Sequence, residues 1–139
     1  MITNDTTLRV RYAETDQMSY VYYGTYAQYH EVGRVELIRS LGLSYRQMEE
    51  THKVMMPVVS MNLRYIRPAF YDELLTIRTT VRSLPEKYFD FHTEIFKENG
   101  KLCNGGMVRL CFVDMHTQKT ILCPKYLIAI ISKYFDHAL

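Results

Sequence analysis

The chain has 139 residues, 47% of them hydrophobic and 23% charged, with 17 Lys and Arg against 15 Asp and Glu. This size and composition predict one globular domain over residues 1–139. The near balance of charge does not by itself argue for nucleic acid, whose backbone binds to a basic stripe, but it leaves room for a local cluster that holds a few phosphates. The amino terminus lacks the pattern of a signal peptide, and the longest strongly apolar stretch is too short to span a bilayer. The three cysteines form no CxxC pair, so we expect reduced thiols in a cytoplasmic protein without membrane insertion.

The first predicted element is a short strand near the amino terminus. Leu8, Val10 and Tyr12 alternate with Arg9 and Arg11, and a period of two is typical of a strand with one buried face. The first half-buried strand is therefore expected over residues 7–12.

A long helix is predicted after a polar turn. From Thr25 to Leu41, apolar or small residues recur at intervals of three and four, which indicates one face of a helix. Gly24 or Thr25 is expected as the N-cap, and Gly42 as the glycine that ends the helix. A second glycine, Gly33, lies on the apolar face and favours a close approach of this helix to a sheet.

The period changes to two after a shorter helical turn at residues 44–51. Four strands are expected in succession, with a hairpin at 98–101 and a bulge at Gly105 and Gly106; their segments are 54–68, 73–84, 88–96 and 102–115. A last helix is predicted over residues 124–139, with Pro124 as its first residue. Consecutive strands joined by tight turns predict an antiparallel sheet, and the long helix lying on its apolar face gives an α+β fold.

Three segments of the chain resemble one known family. YAETDQMSYVYYGTYAQYHEVGRVELIRSLG at residues 12–42 resembles the signature of the hotdog-fold acyl-CoA thioesterases, in the branch of 4-hydroxybenzoyl-CoA thioesterase and the Tol-Pal-associated thioesterases. Residues 63–81 and 113–124 resemble later blocks of that family. The resemblance implies a hotdog fold, in which one long central helix packs on an antiparallel five-stranded sheet. It also implies hydrolysis of an acyl-CoA to a free acid and CoA, with no metal and no cofactor apart from the CoA of the substrate.

The resemblance also assigns the catalytic groups. Asp16 matches the essential carboxylate, which attacks the thioester carbonyl or activates a water, and the backbone N–H of Tyr23 would polarise the thioester oxygen. A helix N-terminus suits that task, because its free N–H groups and partial positive charge stabilise an oxyanion and keep a nearby carboxylate ionised. Tyr12 matches a tyrosine near the active site of some relatives, although it is also a plain candidate for a core or interface position. Glu31 on the helix is the reserve carboxylate, since other hotdog branches use one there.

This segment departs from the family at two places. Many relatives carry Gly where this chain has Met18 and Ser19, and some carry His where it has Tyr23. A backbone N–H survives the change to Tyr, but an acidic role of the His side chain does not carry over. A crowded aromatic entrance that selects the acyl group is expected here, formed by the side chains of Met18, Tyr20, Tyr22 and Tyr23.

Three basic residues are candidates for binding the phosphates of CoA. The resemblance favours Arg64 and Arg67 near the end of the second strand and Lys87 before the fourth, because a guanidinium fork suits phosphate. Each is also an ordinary surface charge. The histidines show no metal-ligand spacing, so no metal site is expected; they are His30, His52, His92, His116 and His137.

The resemblance implies a homodimer, often paired into a homotetramer, with active sites at the subunit interface. Two alternatives stay open for the function: a non-catalytic module that binds acyl-CoA, and a thioesterase that acts on acyl-carrier protein. A hotdog dehydratase is disfavoured, because it would need an Asp and His pair at the helix end and no His lies between Asp16 and His30. The sequence leaves the acyl group undefined.

Overall fold

The computed structural model describes residues 1–135 and shows an antiparallel sheet packed against one long helix. The helices are α1 (Tyr26–Ser40), α2 (Tyr45–Glu50) and α3 (Lys125–Ser132). The strands are β1 (Ile2–Arg9), β2 (Val54–Met55), β3 (Val58–Tyr65), β4 (Leu74–Val81), β5 (Tyr88–Phe96), β6 (Leu102–Asp114) and β7 (Thr120–Ile121).

The main sheet has the order β1-β4-β5-β6-β3, and every neighbouring pair is antiparallel. The short strands β2 and β7 pair with the far end of β6, at Val113 and its neighbours. The predicted architecture, one long helix on an antiparallel sheet of five strands, is confirmed with these two additions. The predicted strand over 54–68 divides into β2 and β3 because Pro57 lies between them and lacks the N–H of a sheet residue.

The ends of the long helix agree with the sequence. A 3₁₀ turn at Tyr23–Thr25 leads directly into α1, with Thr25 in the N-cap position. At the other end Gly42 has φ of +86°, and the N–H of Leu43 donates to the carbonyl of Ile38 at 3.4 Å. This left-handed glycine closes the helix as predicted.

Gly33 brings α1 against the sheet. A Cβ built on Gly33 would lie 2.7 Å from Cγ2 of Ile77 and would also meet Oγ1 of Thr79, both on β4. A real side chain does not fit there, so the predicted close approach of helix and sheet is confirmed. The core continues on both sides of this contact. Under the C-terminal half of α1, the rings of Phe89 and Phe91 stack at 4.3 Å between centroids.

Two predictions about the strands are wrong. β1 covers residues 2–9 rather than 7–12, and Tyr12 lies after it in a 3₁₀ turn at Tyr12–Glu14. The predicted bulge at Gly105 and Gly106 is absent, since β6 keeps regular register there with both neighbouring strands. The register shifts occur instead at Cys103 on β6 and Val59 on β3. Gly106 is required for another reason: a Cβ there would meet the carbonyl oxygen of Asn62.

The last helix differs from its prediction at both ends. Pro124 is the N-cap of α3 rather than its first helical residue, and α3 ends at Ser132. The remainder of the predicted helix from residue 136 onward, with His137, lies outside the described residues. Within residues 1–135, none of the helices combines the length and apolar character required to cross a membrane.

Candidate active site

Asp16 begins a tight hairpin between β1 and α1. Thr15 and Val21 form an isolated antiparallel bridge, and the N–H of Asp16 donates to the carbonyl of Tyr20 at 3.0 Å. Inside the loop the N–H of Ser19 donates to the carbonyl of Asp16 at 3.0 Å, and Ser19 has φ of +71°. This is the three-residue hairpin loop in which a turn is followed by one left-handed residue. It explains why glycine suits the position of Ser19.

Asp16 is half-buried, and one of its two carboxylate oxygens accepts a hydrogen bond. Its Oδ1 accepts the N–H of Met18 at 2.8 Å, and among residues 1–135 its Oδ2 accepts no hydrogen bond. Asp16 faces a hollow of about 380 Å³. The hollow is lined by aromatic, apolar and a few polar side chains, among them Met18, Tyr20, Tyr23, Tyr26, Tyr65, Ile66, Arg67 and Pro68.

Tyr23 opens the helical run on the other side of the same hollow. It is the first residue of the 3₁₀ turn before α1, so its N–H precedes any helical acceptor. Within the part of the chain that the structure describes, the N–H groups of Tyr23 and Gly24 donate to no protein acceptor. Asp16 and Tyr23, the two residues that the resemblance assigns to the carboxylate and the oxyanion donor, therefore line one hollow.

Tyrosine rings form the wall of the hollow. Tyr65 meets Tyr26 edge to face at 5.6 Å and Tyr23 at 6.4 Å between centroids. Burial raises the pKa of Tyr26, so its hydroxyl stays protonated at neutral pH. Tyr22 packs on Tyr23 at 4.6 Å and is exposed beside the hollow rather than in its lining. Tyr65 was not predicted as part of the site, because the sequence of β3 gives no sign that this strand ends against the start of α1.

The three predicted phosphate-binding residues are spread over the sheet. Arg67 lines the hollow, and its Nη1 donates to the carbonyl of Leu102 at 2.7 Å. Arg64 lies on the opposite face of β3, in a separate hollow of about 420 Å³ that also contains Arg82. The structure therefore places only Arg67 beside Asp16.

Lys87 lies at the far end of the sheet. Its neighbour Tyr88 pairs with Cys111, whereas Tyr65 beside the hollow pairs with Asn104 on the same strand. Seven residues of β6 separate these two positions, which corresponds to roughly 23 Å. Within one chain, Lys87 is therefore too far away to reach a ligand group held next to Asp16.

Two further candidates lie outside the hollow. Tyr12 is 78% exposed and meets Tyr71 edge to face at 5.6 Å, in a second hollow that Asp16 also lines. Glu31 is exposed on α1 and does not line the hollow. Among residues 1–135, no group of three or more His, Cys, Asp or Glu side chains is arranged to hold a metal ion.

Comparison with known proteins identifies relatives over most of the chain. The family model described as Thioesterase-like superfamily matches residues 10–131. The acyl-CoA thioester hydrolase YbgC of Escherichia coli O6:H1 is 30% identical over 122 residues, 88% of this chain and 90% of YbgC. YneP of Bacillus subtilis (strain 168) is 43% identical over 86 residues, 62% of this chain and 59% of YneP, so the match spans less than two thirds of that relative.

A solved structure matches almost the entire fold. The DHNA-CoA thioesterase from Staphylococcus aureus is 34% identical and superposes with a TM-score of 0.91, covering 97% of this chain and 92% of that one. This similarity confirms the hotdog fold that the sequence motifs implied.

Proposed function

The chain belongs to the Thioesterase-like superfamily and is a thioester hydrolase, and we propose that it cleaves acyl-CoA thioesters in the hollow between Asp16 and Tyr23. One observation carries the assignment of the site. Asp16, whose Oδ2 accepts no hydrogen bond within residues 1–135, and Tyr23, the first residue of the helical run, line the same hollow. Hydrolysis of a thioester requires both a group that delivers the attack and a donor that stabilises the oxyanion.

The proposed reaction begins with the thioester carbonyl oxygen at the N–H of Tyr23. As the carbonyl carbon is attacked, its oxygen becomes an oxyanion, and the N–H groups at the start of the helix stabilise that charge. If Asp16 is the nucleophile, its oxygen bonds to the acyl carbon, the C–S bond breaks, and the thiolate of CoA leaves and takes up a proton. Water then hydrolyses the mixed anhydride to free acid and Asp16. If Asp16 activates water instead, it accepts a proton from the water while the water oxygen bonds to the acyl carbon. The C–S bond then breaks, the thiolate of CoA leaves and takes up a proton, and the free acid is released.

The substrate is proposed to enter along the tyrosine wall. Met18, Tyr23 and Tyr65 give the hollow an apolar, aromatic lining that suits the acyl group and the pantetheine arm. Arg67 is the basic residue beside the hollow and is proposed to meet a phosphate of CoA. Arg64 and Lys87 do not line this hollow, but the pantetheine arm separates the thioester of CoA from its phosphates. Both residues are therefore kept as proposed phosphate contacts, from the same chain or from a second copy.

We further propose a homodimer formed through β3. Within residues 1–135 this strand pairs with β6 alone, so its other edge has no partner strand there. Four of its apolar side chains are exposed: Val58, Val59, Met61 and Tyr65. An exposed apolar strand edge is a template for pairing with another chain. Since β3 runs into Ile66 and Arg67 at the hollow, a partner on this edge would complete the site. The homotetramer and the cytoplasmic location remain proposals, the latter supported by three free cysteines.

The test compares wild-type protein with Asp16→Asn and the matched control Asp72→Asn. Asp72 is an exposed carboxylate that does not line the hollow. Release of free thiol is measured with aromatic, short-chain and medium-chain CoA esters and one acyl-carrier-protein thioester. We expect kcat to fall by about a hundredfold or more in Asp16→Asn and to change little in Asp72→Asn.

The other outcomes each point elsewhere. An unaffected Asp16→Asn enzyme would remove Asp16 from the reaction and bring Glu31 forward. If no ester is hydrolysed but CoA binds, the acyl-CoA-binding module is the correct alternative. A preference for the carrier-protein thioester would change the substrate and leave the site in place.

A further inference from the structure

We propose that Glu14 is the positioning residue that fixes Asp16 and the N–H of Tyr23 relative to each other; this inference rests on the function proposed above. Glu14 lies two residues before Asp16, and its side chain is only 11% exposed. Its carboxylate and its backbone carbonyl bind three different parts of the site.

The first attachment is to the helix. Oε1 of Glu14 accepts a hydrogen bond from the hydroxyl of Tyr29 at 2.9 Å. Tyr29 lies one turn into α1, and its ring is packed in the core with 2% of its surface exposed. Burial and the bond to Glu14 raise the pKa of Tyr29, so the hydroxyl remains a donor at neutral pH. Because the ring is fixed by packing, this bond ties the loop to a rigid element.

The second attachment closes the turn in which Glu14 lies. The same Oε1 accepts the N–H of Arg11 at 2.8 Å, and Oε2 accepts from the Arg11 guanidinium at 3.1 and 3.2 Å. A charged acceptor with four such bonds is well satisfied in a nearly buried position. The turn that leads into Asp16 is therefore held at its start.

The third attachment joins the two strands of the Asp16 hairpin. The carbonyl of Glu14 accepts the N–H of Tyr22 at 2.9 Å. Tyr22 is the residue immediately before Tyr23, whose N–H is the proposed oxyanion donor. One residue thus contacts the strand that carries the carboxylate, the strand that leads to the oxyanion site, and the helix behind both.

This arrangement predicts a specific effect on catalysis. Attack requires the carboxylate and the N–H to meet the same carbonyl group, and small displacements of such groups lower the rate strongly. Binding of the substrate depends on the wider tyrosine wall, which Glu14 does not line. Loss of the Glu14 attachment should therefore lower kcat and leave KM nearly unchanged.

The experiment uses Tyr29→Phe, Glu14→Gln and Glu14→Ala, with Tyr45→Phe as the matched control. Tyr45→Phe also removes one buried tyrosine hydroxyl, but that hydroxyl lies on α2 and, within residues 1–135, makes no hydrogen bond to Glu14 or to the Asp16 hairpin. For each variant, kcat and KM are measured, together with hydrogen exchange at the backbone N–H groups of Asp16, Met18 and Tyr22.

We expect Tyr29→Phe and Glu14→Ala to lower kcat about tenfold or more, with KM changed less than about threefold. Exchange at the hairpin N–H groups should accelerate while exchange in β5 and β6 stays at the wild-type rate. Glu14→Gln, which keeps an acceptor for Tyr29, should recover most of the activity, and Tyr45→Phe should match wild type.

Equal losses in Tyr29→Phe and Tyr45→Phe, or an unchanged exchange rate in the hairpin, would overturn the inference. A rise in KM at constant kcat would overturn it too, since Glu14 would then act on binding. If the wild-type protein hydrolyses no thioester, the proposed function fails, and the exchange data still decide whether Glu14 holds the hairpin.

Discussion

Nε2 of His30 on α1 lies 2.7 Å from Oδ1 of Asn104 on β6, and both residues are fully buried. The pair connects the helix to the sheet one turn beyond the tyrosines of the hollow. With Oδ1 as the acceptor, Nε2 of His30 carries the proton and the neutral ring donates it. Burial, and to a smaller extent the nearby Arg34 cation, lowers the pKa of His30, against the opposing effect of the Asn104 bond.

This pair predicts that the protein loses stability in mild acid. In the unfolded chain His30 titrates near its ordinary pKa of about 6.5, whereas in the folded protein its pKa is lower. The unfolded state therefore binds more protons below about pH 6.5, and the free energy of unfolding should fall as the pH drops, by up to about 1.4 kcal/mol per pH unit. Above that pH His30 contributes no slope. Urea unfolding at several pH values between 5 and 8 measures this.

His92 provides the comparison, because burial also lowers its pKa. In His30→Gln the free energy of unfolding should fall less steeply with decreasing pH, because the contribution of His30 is lost. In His92→Gln the contribution of His30 to this slope should remain. Identical slopes in wild type and His30→Gln would show that folding does not lower the pKa of His30.

Gly33→Ala is predicted to destabilise the protein despite the better helix propensity of alanine. Its new Cβ would lie 2.7 Å from Cγ2 of Ile77, so helix and sheet must separate, at a cost of about 1–3 kcal/mol. In the control Gly105→Ala the Cβ would be 3.6 Å from the carbonyl oxygen of Thr93, an ordinary contact, and we expect a change within about 0.5 kcal/mol. Thermal unfolding compares them; a Gly33→Ala protein as stable as wild type would contradict the contact.

Ser19→Gly is predicted to stabilise the hairpin that carries Asp16. Ser19 has φ of +71°, a conformation that costs a residue with a Cβ about 1 kcal/mol or more, while glycine adopts it freely. Part of the gain is lost to the greater freedom of glycine in the unfolded chain, so we expect a rise in Tm of about 1–4 °C. Ser19→Val should lower the Tm, since a branched Cβ suits this conformation poorly. A lower Tm for Ser19→Gly would contradict the assignment.

Met61→Asp is predicted to dissociate the proposed homodimer. It introduces a charge on the exposed apolar side of β3, where it would be buried without a partner in the interface. Thr7→Asp places the same charge on β1, the strand at the other edge of the sheet. Light scattering should give at least twice the 16.5 kDa chain mass for wild type and Thr7→Asp, and four times that mass if the proposed homotetramer forms. Met61→Asp should give a mass lower than that of wild type. A wild-type monomer, or dissociation by Thr7→Asp instead, would exclude the β3 interface.

The helices and strands in which apolar residues recur at regular intervals were predictable from the sequence. The apolar spacing in α1, the alternation in β4 and β5, and the glycine at residue 42 each depend on neighbours in the chain, which the sequence displays. β1 was misplaced because its inward positions include Asn4 and Thr6, and polar residues on a buried face hide the period. For Gly105 and Gly106 a bulge and a close approach of another strand give the same sequence signal, and only the paired strand distinguishes them.

Only the part of the candidate site that lies within one continuous sequence motif was predictable. Asp16 and Tyr23 lie in the same motif, and the structure places both at one hollow. Tyr65 comes from a distant strand, and Lys87 depends on where the sheet ends, so periodicity could not place either residue. The role of Glu14 depends on a hydroxyl carried by Tyr29, fifteen positions further along the chain.

The register of β1 has a consequence for how the protein is made. The hydroxyls of Thr3 and Thr80 lie 3.4 Å apart across β1 and β4, although 77 positions separate them in the sequence. At roughly 5–20 residues per second, a ribosome adds the missing partner about 4–15 s after β1 is synthesised. During that interval β1 has no partner strand. Its polar residues Asp5, Thr7 and Arg9 reduce its tendency to aggregate with other nascent chains. Among the strands of residues 1–135, β1 therefore has the longest interval between its own synthesis and that of its partner strand.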